Sequence, residues 1–126
     1  MATEILVNDG GAPARILPFV AGAAISGGHA IDMQTDGQVD PATDTASVKL
    51  LGYALTDAAS GTIANVISGR GVLLNVWATG TVASGGALEV STNDGILIAG
   101  ATPGEVVAVA VEGQGDVLAL LKVLTK

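Results

Sequence analysis

Two stretches of this chain, 58 positions apart, carry the same pattern of glycines and turn-forming residues, and any fold has to accommodate both. "FVAGAAISGGHAIDMQTDGQV" from Phe19 lies against "WATGTVASGGALEVSTNDGIL" from Trp77. Gly22 meets Gly80, Ser26 meets Ser84, Gly27 and Gly28 meet Gly85 and Gly86, and Asp36 and Gly37 meet Asp94 and Gly95. An internal repeat marks the residues that an architecture requires, so the shared glycines and Asp-Gly pairs read as the turns of a twice-built unit. Each copy leads to a second apolar run, "SVKLLGYAL" from Ser47 and "EVVAVAVEG" from Glu105. One detail resists this alignment: Leu88 and Val90 fall opposite Ala30 and Asp32, while the bulky residues of the first copy are Ile31 and Met33. A one-residue bulge in a strand would reconcile them.

The runs between these turns have strand character. In "EVVAVAV", Val107, Val109 and Val111 share one face and Ala108 and Ala110 the other, and small alanines on a buried face would let a second layer approach closely. "TIANVI", "GVLLNVW", "ALEV" and "DVLALLKVL" are further strands, and the Asp-Gly pairs suit two-residue hairpin turns. "LTDAAS" and "VLALLKVL" are the two places where a short helix could compete, and one at most is expected. With 126 residues, 18 glycines and an apolar content almost wholly aliphatic, the chain is expected to be mainly β. The expected fold is a compact β barrel or sandwich of two related β units, about residues 19–76 and 77–126, in one domain over 19–126. Residues 1–18 differ: "TEILV" is strand-like and "VNDGGAPAR" is polar and turn-forming, which reads as an extended N-terminal arm suited to adding a strand to a partner's edge.

Charge and composition remove several functions. Twelve acids against five bases give a net charge of −7, and Arg15, Lys49, Arg70, Lys122 and Lys126 are scattered, so a phosphate backbone has nothing to bind. With no cysteine there is neither a disulfide framework nor a thiolate metal site. The N-terminus lacks a basic stretch followed by a long apolar run, and every apolar run is interrupted short of the roughly 20 residues of a membrane helix. A soluble protein made in the cytoplasm is the expectation.

The groups that suggest chemistry do not form sets. Gly22 to Gly27 has the glycine spacing of a phosphate-binding loop, but Gly28 and His29 follow where lysine and a hydroxyl residue are needed. His29 is the single histidine, and Ala87 stands opposite it, so an exposed residue at a strand start is expected rather than a metal ligand or base. Asp32, Asp36, Asp40 and Asp44 are spaced by four, unlike a calcium loop, and read as solvated loop acids. No G-x-S-x-G is present, and a nucleophile triad would depend on His29. Phe19 and Trp77 occupy matched places, which suits packing better than a stacking site for a sugar or base. No catalytic residue, cofactor or metal site is assigned, and the chain is not expected to be an enzyme. The structural turns are assigned to Gly27, Gly28, Asp36, Gly37, Gly85, Gly86, Asp94 and Gly95.

A polar arm leading into "AGAAISGGHAI", then "LLGYALTDAASGTIANVISGRGVLLNVWATGTVASGGAL" and a closing run of alternating valines and leucines, resembles the small capsid decoration, or cement, proteins of tailed bacteriophages. The resemblance implies a β-tulip-like fold and a structural virion protein on the outer surface of an icosahedral head, which it stabilises. It also implies the major capsid protein as partner, a homo-oligomer with a trimer favoured, and no direct nucleic-acid or membrane partner. The arm residues Thr3, Glu4, Ile5, Leu6 and Val7 would then contact the capsid. The competing readings are an adhesive or carbohydrate-binding β module, disfavoured by only three aromatic residues, and a tail or fibre component.

Overall fold

The computed structural model describes residues 5–8, 15–43, 50–91, 95–102 and 106–126. Eleven strands and no helix occur among them: β1 (Leu6–Asn8), β2 (Arg15–Val20), β3 (Ala30–Met33), β4 (Val39–Pro41), β5 (Leu50–Ala54), β6 (Ile63–Ser68), β7 (Leu73–Ala78), β8 (Ala87–Val90), β9 (Leu97–Ala99), β10 (Ala108–Ala110) and β11 (Ala119–Thr125). Both candidate helices fail. "VLALLKVL" lies almost wholly in β11, where alternation buries Leu121 and Val123 and turns Leu124 outward, so burial at period two overrides leucine's helix propensity. "LTDAAS" is a connection in which Ala58 bridges to Ile25. In "EVVAVAV" the expected faces hold and the alanines take the interior: Ala108 and Ala110 are buried, whereas Val111 is 46% exposed.

The strands form two sheets, β2-β6-β5-β3-β4 and β1-β7-β11-β10-β8-β9, which pack as a compact β sandwich. With β1 set aside, the two orders are the same. In each, the end of the first strand also touches the last strand in parallel, at Ala21↔Val39 and at Ala78↔Leu97. The sequence repeat is therefore a repeat of architecture.

Its register differs from the 58-residue alignment. The bridges at Ile25 and Val82, the strand starts at Ala30 and Ala87, and the paired residues Val20↔Ile63 and Trp77↔Leu120 are each 57 positions apart. Ile31 thus corresponds to Leu88, Asp32 to Glu89 and Gly28 to Gly85, which removes the mismatch by register alone. A register shift does occur between Ile31 and Asp32, but its extra residue is Leu51 on the neighbouring β5. The extra residue lies in the hairpin turn. Gln34 N–H donates to Gln38 O, leaving residues 35–37 between them, while Ser91 N–H donates to Ile96 O, leaving 92–95. The first turn is a three-residue connection with Gly37 in the left-handed region (φ 81°), not the two-residue turn expected.

Two cores follow from the period-two alternation. On one side of the first sheet, Ile31, Val39, Ala54, Ala64 and Val66 pack with Phe19, Met33 and Leu51. On its other side, Ala30, Tyr53 and Ile67 join Val72, Leu74, Val76, Leu88, Leu97 and Val123 in a core shared with the second sheet. Each fully buried Ile, Leu or Val contributes about 1.5–3 kcal/mol of transfer free energy. The N-terminal strand belongs to this core rather than standing away from it: Ile5 is buried there, its carbonyl accepts from Asn75 N–H at 2.8 Å, and β1 pairs with the edge of β7.

Gly95 is buried where the sheets meet. It has φ 72°, its N–H donates to Ala42 O at 2.6 Å and its carbonyl accepts from Ala30 N–H at 2.8 Å. A Cβ there would lie 2.7 Å from His29 Cβ and 2.9 Å from Ala30 O, whereas one at Gly37 would meet nothing within 4 Å. Both positions oppose an L side chain by conformation, at about 1–2 kcal/mol. Gly37→Ala should lose about that much in denaturant unfolding, and Gly95→Ala about 1–3 kcal/mol more through overpacking. Equal losses would show that the junction can give way.

Candidate functional site

The segment with phosphate-loop spacing is occupied by its own fold. Gly22, Ile25 and Gly28 N–H donate to Val39 O, Ala58 O and Ala54 O, each at 2.8 Å, and Gly27 N–H donates to Asp57 Oδ1 at 2.7 Å. Four amides that could face an anion are thus directed at protein oxygens. His29 is half-buried and not exposed as expected, because Gly95 packs directly against its Cβ.

The acids are dispersed by the topology. Asp36 caps its own turn, with Oδ1 accepting from Gln38 N–H at 2.9 Å. Asp32 is buried on β3 and Asp40 half-buried on β4, so neither is the solvated loop acid expected; Asp44 lies outside the described residues. The register places buried Glu89 at the position matching Asp32, and its Oε2 accepts from Thr102 N–H at 3.0 Å. Sequence comparison missed this matched pair because the one-residue turn insertion shifts Glu89 opposite Ile31. Among the described residues, no three His, Asp or Glu side chains gather as a metal site.

Of the assigned turns, Gly28 and Gly85 occupy matched left-handed positions (φ 91° and 81°). Gly27 precedes the first of these. Gly86 follows the second, with its N–H donating to Ala83 O at 2.9 Å, and Asp94 lies outside the described residues. Of the arm, Thr3 and Glu4 lie outside as well, Ile5 is in the core, and Leu6 and Val7 are in β1.

Phe19 and Trp77 are not matched residues. Phe19 packs on the inner face of the first sheet, whereas Trp77 corresponds to Val20 and points to the opposite face. A shift of one residue exchanges faces in a strand. Trp77 lies on the first sheet's turn: its Nε1 donates to Gly27 O and its backbone N–H to Gly28 O, both at 3.0 Å.

Exposed large apolar residues include two groups on sheet faces, besides Leu17 and the Val117–Leu118 pair ahead of β11. Ile16 (46% exposed), Val20 (38%) and Ile63 (56%) lie on the outer side of β2 and β6, while Val111 (46%) and Leu124 (41%) lie on the outer side of β10 and β11. Between the sheets, a cleft of about 210 Å³ is lined by Gly52, Tyr53, Arg70, Val107 and Lys126. Tyr53 Oη donates to Val107 O at 3.4 Å, and burial pushes the phenol well above its ordinary value. Above the ordinary tyrosine value, about pH 10, the unfolded chain ionises and the folded one does not, so stability should fall with rising pH. A pH titration of the single tyrosine's phenolate absorbance should show ionisation coinciding with unfolding, and ionisation before unfolding would contradict the burial.

No helix among the described residues is long and apolar enough to cross a membrane. No protein-family model matches the chain, and no curated protein matches it. Among solved structures, the chain is similar to the N base of the head fibre protein gp8.5 of bacteriophage phi29, with 16% identity, a TM-score of 0.71, and 90% of this chain and 95% of that one covered. At that identity the likeness is one of fold, and it extends over nearly the whole of both chains.

Proposed function

We propose that this chain is a structural, non-enzymatic protein of a bacteriophage virion that binds the outer surface of the icosahedral head and stabilises it. The observation that carries the reading is the nearly end-to-end likeness in fold to the N base of a phage head fibre. The surface supports it: apolar patches on two sheet faces and a chain whose polar groups serve its own turns suit shape-matched contacts, and repetition over a lattice multiplies modest contacts by avidity. The major capsid protein is the proposed partner, and the chain is taken to act as a homo-oligomer, with a trimer favoured.

The location of Ile5 changes how the arm can contribute. Capsid contact through Thr3 to Val7 has to be compatible with Ile5 in the core and β1 on β7, so the segment ahead of Ile5 is the part to test. Deleting residues 1–4 should weaken association with heads in a co-sedimentation assay and leave thermal unfolding unchanged. Full binding by the shortened chain would remove the arm from the reading. Deletion through residue 12 should also destabilise the fold, because it removes a buried isoleucine worth about 2–5 kcal/mol.

A second reading is favoured by the same likeness: the neighbour is the base of a head fibre, and on that reading this chain is the foot of a projection rather than a cement protein. Heads stripped of the protein separate the two. Under the stabilising role, adding it back should raise the temperature of genome release, whereas a foot alone should bind without that shift.

A further inference from the structure

The contact between the two sheets joins unlike surfaces of a repeated unit. From the first sheet it uses the turn Gly27–Gly28, whose carbonyls accept from Trp77, together with Ile67 and half-buried Leu55 in the shared core. From the second it uses the outer side of β7 and β11: a Cβ at Gly28 would lie 2.9 Å from Leu120 Cδ2 and 3.2 Å from Trp77 Cδ1. A head-to-tail contact of this kind leaves one unused copy of each half at the two ends.

The unused halves are identified by register. Trp77↔Leu120 corresponds to Val20↔Ile63, and the Gly28 turn corresponds to Gly85, where an added Cβ would meet nothing within 4 Å. Val111 N–H donates to Lys122 O as Leu55 N–H does to Asn65 O, and Leu124 pairs with Val109 as Ile67 does with Tyr53. Val111 and Leu124 therefore match Leu55 and Ile67. Within the molecule Ile67 is 1% exposed, but Leu124 is 41% exposed; Val20, Ile63 and Val111 are also exposed, at 38%, 56% and 46%.

The backbone agrees. Ala21 N–H points to Thr62 O, just ahead of β6, so alternation turns Val20 N–H away from β6, as Trp77 N–H is turned to Gly28 O. Pro18, at the position of Asn75, offers no donor there, so the edge lacks the counterpart of the Asn75 N–H to Ile5 O bond that helps β7 hold β1, while Val20 N–H remains available.

We propose that a second copy of this chain covers these surfaces: the Ser84–Gly85 turn of one copy, flanked by Val111 and Leu124, docks on Val20 and Ile63 of the next, with Gly85 O accepting from Val20 N–H. This repeats between chains the contact already made within one. It rests on the homo-oligomer part of the functional reading and is independent of the head, so it is tested on the isolated protein.

The chain has no cysteine, so single cysteines report cleanly. Val20→Cys and Ser84→Cys chains, mixed and oxidised under non-denaturing conditions, should give a covalent 1:1 pair of twice the monomer mass; either chain alone should give far less. Adding Ile63→Asp to the Val20→Cys chain should abolish the pair, with circular dichroism confirming that this exposed substitution leaves the fold intact. Multi-angle light scattering should find the natural chain larger than a monomer. A monomer at the highest attainable concentration, homotypic cross-linking as strong as heterotypic, or a pair unaffected by Ile63→Asp would each overturn the inference. Failure to bind heads would leave it standing.

Discussion

The close backbone approach between the two sheets is the constraint on which the rest of the structure depends. At one end Trp77 donates twice to the Gly27–Gly28 turn, and at the other Gly95 exchanges hydrogen bonds with Ala30 and Ala42. Both contacts require glycine, one beneath an indole and a leucine and the other against His29. Side chains at these positions would hold the sheets apart and open the shared core around Tyr53, Ile67 and Leu74. Unpaired buried backbone groups would follow, each costing about 1–3 kcal/mol.

That junction also gives the molecule a polarity that its repeat alone would not have. The edge of β7 is completed by Ile5 and Gly28, while the matching edge of β2 carries Pro18 and pairs with no further strand among the described residues. Leu55 and Ile67 are drawn into the shared core, while the corresponding Val111 and Leu124 face solvent. Similar strands thus acquire different surroundings, and the exposed apolar residues include those whose counterparts are covered. Long exposed edges invite unwanted pairing, and a proline at an outward position of β2 limits it.

Much of the strand content was legible because each strand is bounded by turn residues and alternates at period two. "ALEV" is β8 as read, and "TIANVI" and "GVLLNVW" fall within a residue or two of β6 and β7. The repeat and its turn glycines were legible as well. The inserted residue between positions 91 and 96 was not, since an alignment anchored on both Gly-Gly and Asp-Gly hides a shift of one between them. That shift concealed the matched Asp32 and Glu89 and made Phe19 and Trp77 look equivalent. The helical alternatives failed because leucine and alanine propensities differ by tenths of a kcal/mol, less than the burial of Leu121 and Val123 contributes. Most of the candidate site was not legible, because exposure of Val20, Ile63 and Leu124 depends on which sheet covers which.

By itself the sequence determined a twice-built β unit with an aliphatic interior and its turns, because hydrophobic period and turn chemistry are local properties. Only the tertiary structure decided that Ile5 is core, that the alanines of β10 face inward, that His29 is half-buried and that Val20, Ile63, Val111 and Leu124 remain outside. The reason is physical: a strand's alternation marks two faces, but which face is buried depends on where the second sheet docks.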